Sequence, residues 1–133
     1  MRFLLDTNIC IYIIKHKPAQ VLAKFQTLNP SDIGVSSITV AELEYGGYKS
    51  QRLGQNRAAL SQFLIPLEVL PFDERATQTY GQIRAELERR GIAIGSMDML
   101  IASQAISLGL ILVTNNVREL SQIPGLNWEN WAE

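Results

Sequence analysis

The sequence predicts an α/β protein, a three-layer α/β/α sandwich whose mainly parallel sheet has four to five strands. Three observations lead there. Phe3–Leu5 and Leu110–Val113 are short apolar runs without a helical period, and each is closed at once by polar residues, Asp6-Thr7-Asn8 and Thr114-Asn115-Asn116. Between such runs lie longer segments with helical spacing. The clearest is Asp73–Arg90, where Ala76, Tyr80, Ile83 and Leu87 share one face. The chain has 133 residues, 47% of them hydrophobic, enough for a single domain over 1–133 that buries about two-thirds of its unfolded surface.

The elements follow in order. After the first strand, Asn8–Ile14 opens a short helix that runs into the basic loop Lys15-His16-Lys17-Pro18. Pro18 suits the first position of the next helix, which carries Val21, Leu22 and Phe25 on one side. Asn29–Asp32 is a loop by composition, and Ile33–Ser36 is a second strand. Ser37–Glu42 starts a helix that continues through Tyr45 and is weakened at Gly46-Gly47; Gln51–Leu64 is another. Leu67–Phe72 alternates as a short third strand that Pro71 ends. The helix after it has Asp73-Glu74 at its start and Arg89-Arg90 at its end, both favourable to its dipole, with Gly91 following as the left-handed stop. Ser96 caps a helix running to about Leu108, which Gly109 stops. A fourth strand, Leu110–Val113, precedes the turn at Pro124-Gly125 and a last short segment, Leu126–Trp131.

Composition narrows the function. No apolar run approaches the roughly 20 residues needed to span a bilayer, and the N-terminus lacks the pattern of a signal peptide. A lone cysteine, Cys10, allows no internal disulfide and points to a reducing, cytoplasmic setting. Its place in the apolar run Ile9–Ile14 reads as a small buried hydrophobe. Net charge is −1, so any nucleic-acid partner must be held by a local patch or handled briefly by an enzyme.

Three acids stand out by position: Asp6 at the end of the first strand, Glu42 in the first turns of a helix, and Asp98 just inside the helix at Ser96. Asn116 and Glu119 follow the fourth strand. If the first and fourth strands are neighbours, Asp6 meets Thr114–Asn116 at one sheet edge, where open α/β sheets keep their ligand chemistry. Clustered carboxylates oppose one another's ionisation, and a divalent cation relieves that cost. Oxygen ligands suit Mg²⁺, with Mn²⁺ as a substitute, which can activate water for attack on phosphorus. Simpler readings stand beside this one. Asp6 can serve as an N-cap, Thr39-Val-Ala-Glu42 matches a capping box, and Asp98 sits where a helix dipole favours an acid. Residue spacing alone leaves both readings open.

Four segments carry a resemblance: Leu4–Asn8, Ser37–Leu43, Ile94–Ala102 and Leu112–Asn116. In this order, and spread over nearly the whole chain, they resemble the signature segments of PIN domains. The closing Ile123–Trp131 is similar to the tail of the VapC toxins, the PIN-domain ribonucleases of bacterial type II toxin–antitoxin pairs. The resemblance implies a pocket in which Asp6, Glu42 and Asp98 surround Mg²⁺ or Mn²⁺. It puts Asn116 at a position that is often Asp, with Glu119 nearby as the alternative acid. Thr114 is implied as a hydroxyl contact to a ligand carboxylate or to phosphate, and Asn8 as a lesser contact at the site. The implied reaction is metal-dependent hydrolysis of structured RNA, tRNA or ribosomal RNA, by water, leaving 5′-phosphate and 3′-hydroxyl ends and stopping translation. A cognate antitoxin, a homodimer and a hetero-oligomer with the antitoxin are the implied assemblies. Tyr45, Tyr48 and Leu53 are implied in clasping the antitoxin, core packing being the plain alternative for Tyr45.

The remaining residues fit this frame. Lys15, with His16 and Lys17, is either a phosphate contact at the pocket mouth or part of a solvated loop. The only histidine, His16, pairs with no serine or cysteine nucleophile, so no covalent triad is read. Thr7 and Asn8 are expected to hold the turn after Asp6. Two other classes compete. A receiver-like signalling module binding Mg²⁺ needs an acid pair after the first strand and a late lysine, but Thr7-Asn8 follows Asp6 and no lysine lies beyond Lys49. An inactive PIN-like scaffold is disfavoured by three retained acids and left open by Asn116.

Overall fold

The computed structural model describes residues 1–133. Five parallel strands form one sheet: β1 (Phe3–Leu5), β2 (Ile33–Ser36), β3 (Glu68–Leu70), β4 (Ile111–Val113) and β5 (Trp128–Glu129), in the order β3-β2-β1-β4-β5. The upper strand count is therefore the correct one, and the tail supplies the fifth strand. Seven helices connect them: α1 (Thr7–Lys15), α2 (Ala19–Gln26), α3 (Ser37–Lys49), α4 (Leu53–Leu64), α5 (Glu74–Arg89), α6 (Ser96–Leu108) and α7 (Val117–Leu120).

Strand alternation sorts the apolar residues into two cores. Leu4 and Leu112 face one side and pack with Ile83, Leu87, Ile101 and Ala105 of α5 and α6. Phe3, Leu5, Val35 and Val113 face the other, against Ile9, Ile13 and Val21 of α1 and α2. A strand buried on both sides reads as a continuous apolar run, which is why Phe3–Leu5 shows no alternation. Trp131 closes the second core edge-on to Phe3, at 5.5 Å between ring centroids.

Several local expectations are corrected. Gly46-Gly47 does not weaken α3, which runs on to Lys49, with Gly47 buried against α4. Pro18 occupies the capping position before α2 rather than its first turn. Ser96 is the first residue of α6, and the capping position falls to Gly95 with no side-chain cap. The loop Asn29–Asp32 contains one 3-10 turn, Pro30–Asp32, capped by Asn29. Gly91 and Gly109 do take the left-handed conformation, at φ 69° and 67°, that stops a helix.

Two features position the site. The strand order reverses between β1 and β4, so the loops leaving their carboxyl ends diverge to opposite sides and open a crevice. The register pairs Leu5 with Val113, and the Asp6 amide donates to the Val113 carbonyl at 3.0 Å, which sets Asp6 beside Thr114.

Candidate active site

Asp6 sits in that crevice and is almost wholly buried. Its Oδ1 accepts the Ile9 amide at 2.9 Å and so caps α1. The capping role and a place at the sheet edge therefore coexist in one side chain. Burial pushes the carboxyl up to about 6; the Thr114 hydroxyl and the Ile9 amide oppose the rise, while the charges of Asp98 and Glu42 add to it. Those two acids thus lie within electrostatic reach of Asp6, although they come from α6 and α3.

Each is held by its own partner. Asp98 accepts the Asn116 side-chain amide at 2.9 Å, and the same nitrogen lies 3.3 Å from Glu119. Asp98 is raised above the ordinary carboxylate value, chiefly by burial, with the Asn116 bond opposing and the Glu119 charge assisting. The Thr114 hydroxyl accepts the Asn116 backbone amide at 3.0 Å, tying that turn to the place beside Asp6. Glu42 accepts the Thr7 hydroxyl at 2.5 Å. The capping box read from Thr39 and Glu42 is not formed: Ser36 caps α3 instead, accepting the Ile38 amide at 3.0 Å. The reason is geometric, since Ser36 ends β2 immediately before the first helical residue.

The remaining candidates divide. Lys15 and Glu42 line one cleft of about 250 Å³ with Ile11, Leu43 and Asn56. Asn8 is exposed on α1 and has no side-chain hydrogen bond. Tyr45 and Tyr48 stand largely in solvent, with Lys49 and Arg57 over their rings, so core packing does not explain Tyr45.

Sequence reading missed a buried tie between the helices that carry the acids. Gln104 of α6 accepts the Ser36 hydroxyl at 2.5 Å and donates to the carbonyls of Leu70 and Pro71, both at 3.1 Å. The same Ser36 oxygen caps α3. The one available signal was a glutamine in the middle of a mostly apolar helix.

No lysine or arginine pairs with Asp6, Glu42, Asp98 or Glu119. Negative charge is left uncompensated around a desolvated carboxylate, and every available donor is oxygen. That donor set fits a hard divalent cation. No group of three of these side chains stands close enough to hold a metal ion together, so the structure does not assemble the pocket in which Asp6, Glu42 and Asp98 all surround the ion. A cation here would take one or two carboxylates directly and complete its shell with water.

Residues 3–126 match the PIN domain family. Over 132 residues the chain is 47% identical to the tRNA(fMet)-specific endonuclease VapC of Shigella flexneri, covering 99% of both chains. Its fold matches a chain in the crystal structure of DNA-bound VapBC from Salmonella typhimurium, with a TM-score of 0.93, 46% identity and 98% of both chains covered. The structure of VapBC2 from Rickettsia felis bound to a DNA fragment from their promoter matches with a TM-score of 0.92 and 44% identity, covering 98% of this chain and 99% of that one.

Proposed function

The chain belongs to the PIN-domain family, and from that premise we propose that it is the ribonuclease toxin of a toxin–antitoxin pair, an endonuclease acting on tRNA. The observation that carries this reading is that Asp98 of α6 and Glu42 of α3 lie within electrostatic reach of the buried Asp6 at the β1/β4 crevice, and that none of the three pairs with a lysine or arginine. Full-length identity to a tRNA(fMet)-specific endonuclease supports initiator tRNA as the substrate. The VapBC structures support a cognate antitoxin as the partner. No helix is long and apolar enough to cross a membrane, in keeping with action in the cytoplasm, as a homodimer or bound to antitoxin.

In this reading Asp6 and Asp98, with Glu42 beside them, hold Mg²⁺ or Mn²⁺. Such a cation, when bound, neutralises charge on the scissile phosphate and acidifies water for in-line attack. The protein's own groups set the geometry. Asn116 holds one oxygen of Asp98 and leaves the other without a protein donor. Thr114 steadies Asp6 and the turn bearing Asn116. Lys15, on the wall of the cleft that Glu42 lines, supplies a positive charge for the RNA backbone.

The test is cleavage of purified initiator tRNA, with total RNA as comparison, by wild type and Asp6→Asn in Mn²⁺ and in EDTA. We expect a single new 5′-phosphate end, produced by wild type with metal and by neither control. Folded wild type that leaves RNA intact with either metal moves the assignment to a non-catalytic binding protein.

A further inference from the structure

We infer that Thr7 is a positioning residue for Glu42, the end of a two-hydroxyl relay that begins at Thr39. The Thr7 Oγ1 lies 2.5 Å from Glu42 Oε1 and 3.3 Å from Thr39 Oγ1. A hydroxyl carries one proton and an ionised carboxylate only accepts, so Thr7 donates to Glu42. The contact with Thr39 is then made by the Thr39 proton, donated to the Thr7 oxygen. Thr39 is fully buried and has no other side-chain partner, so the chain Thr39 to Thr7 to Glu42 runs one way. Receipt of one hydrogen bond polarises a hydroxyl and strengthens the bond it gives.

The placement matters more than the bond. Thr7 is the residue directly after Asp6 and the first residue of α1, whereas Glu42 lies in the second turn of α3. The hydroxyl fixes the second acid relative to the first through a single peptide unit. It engages one oxygen of Glu42, and the other accepts no hydrogen bond from the protein. Outer partners that orient ligating carboxylates change metal affinity by about 10- to 100-fold when removed.

This inference rests on the metal-ribonuclease reading, so the experiment separates the two. Mn²⁺ affinity of the purified full-length protein is measured calorimetrically, without RNA, for wild type, Thr7→Val, Thr7→Ser, Thr39→Val and Glu42→Gln, with a melting curve for each. We expect Thr7→Val to bind Mn²⁺ at least about tenfold more weakly, Thr7→Ser to restore wild-type affinity, and Thr39→Val to fall between. A residue that only stabilised the fold would lower the melting temperature and leave the affinity alone. Unchanged affinity in both valine variants, with a loss in Glu42→Gln, overturns the relay and leaves the metal site standing. Unchanged affinity in Glu42→Gln overturns the relay by removing Glu42 from the metal, and wild type that binds no Mn²⁺ overturns the metal reading with it. Should Thr7→Val not fold, Thr39→Val, which keeps Thr7 and Glu42 in place, decides by the same criterion.

Discussion

The side-chain amide of Asn116 donates to Asp98 at 2.9 Å while lying 3.3 Å from Glu119, so a neutral residue separates two acids at the mouth of the crevice. An aspartate here would exchange a donor for a third negative charge. The neutral amide lets Asp98 and Glu119 sit near each other without a cation between them.

Asn116→Asp therefore makes the protein more dependent on metal. Its melting temperature in EDTA should fall by about 5 °C from the lost charge-assisted bond and added repulsion. Addition of Mn²⁺ should raise it more than it raises wild type. Equal metal-induced gains in the two proteins would contradict the separating role of Asn116.

Asp6→Asn should be inactive yet more stable than wild type without metal. Unfolded Asp6 loses its proton near the ordinary value of 3.8, while the folded group holds it to about 6. Between these values the folded chain binds the extra proton, so stability falls as pH rises through that window. The shift corresponds to at most about 3 kcal/mol. Urea unfolding in EDTA should show the variant more stable at pH 7.5, with the gap closing below about pH 4. A gap independent of pH would mean that desolvation of Asp6 is not its source.

Gln104→Leu should be strongly destabilising although it lies away from the chemistry. The change leaves the Ser36 hydroxyl without its acceptor and the Leu70 and Pro71 carbonyls without their donor. The expected loss is about 2–4 kcal/mol in chemical denaturation. Since Ser36 caps the helix of Glu42 and Gln104 belongs to the helix of Asp98, Mn²⁺ affinity should fall with it.

Cys10 should be inert in the native protein. It is fully buried, and desolvation, together with the nearby Asp6 charge, pushes the thiol well above its ordinary value. A disulfide reagent should react with no thiol in buffer and with one equivalent in guanidinium. Rapid native labelling would show that α1 opens locally.

The sequence by itself determined the order of the first four strands and of α1 to α6, because a central strand buried on both faces is apolar throughout and a half-buried helix repeats. It did not mark α7 as a helix or Trp128–Glu129 as a strand. It did mark Asp6 and Thr114, since polar residues directly after buried strands have to surface at the sheet edge. It did not determine how those residues are tied together. The β1/β4 adjacency that puts Asp6 beside Thr114 was only conditional until the strand order was known. The same holds for each holding contact: Thr7 to Glu42 across 35 positions, Ser36 to Gln104 across 68, and Asn116 to Asp98 across 18. Spacing allowed a capping box for Glu42, but Thr39 lies inside α3 and Ser36 takes the cap, so Glu42 is left to accept the Thr7 hydroxyl that the tertiary fold brings within reach. Apolar burial imposes a period along the chain and can be read one segment at a time. A hydrogen bond between distant side chains imposes none, so only packing of α1, α3 and α6 on the sheet decides which polar groups meet.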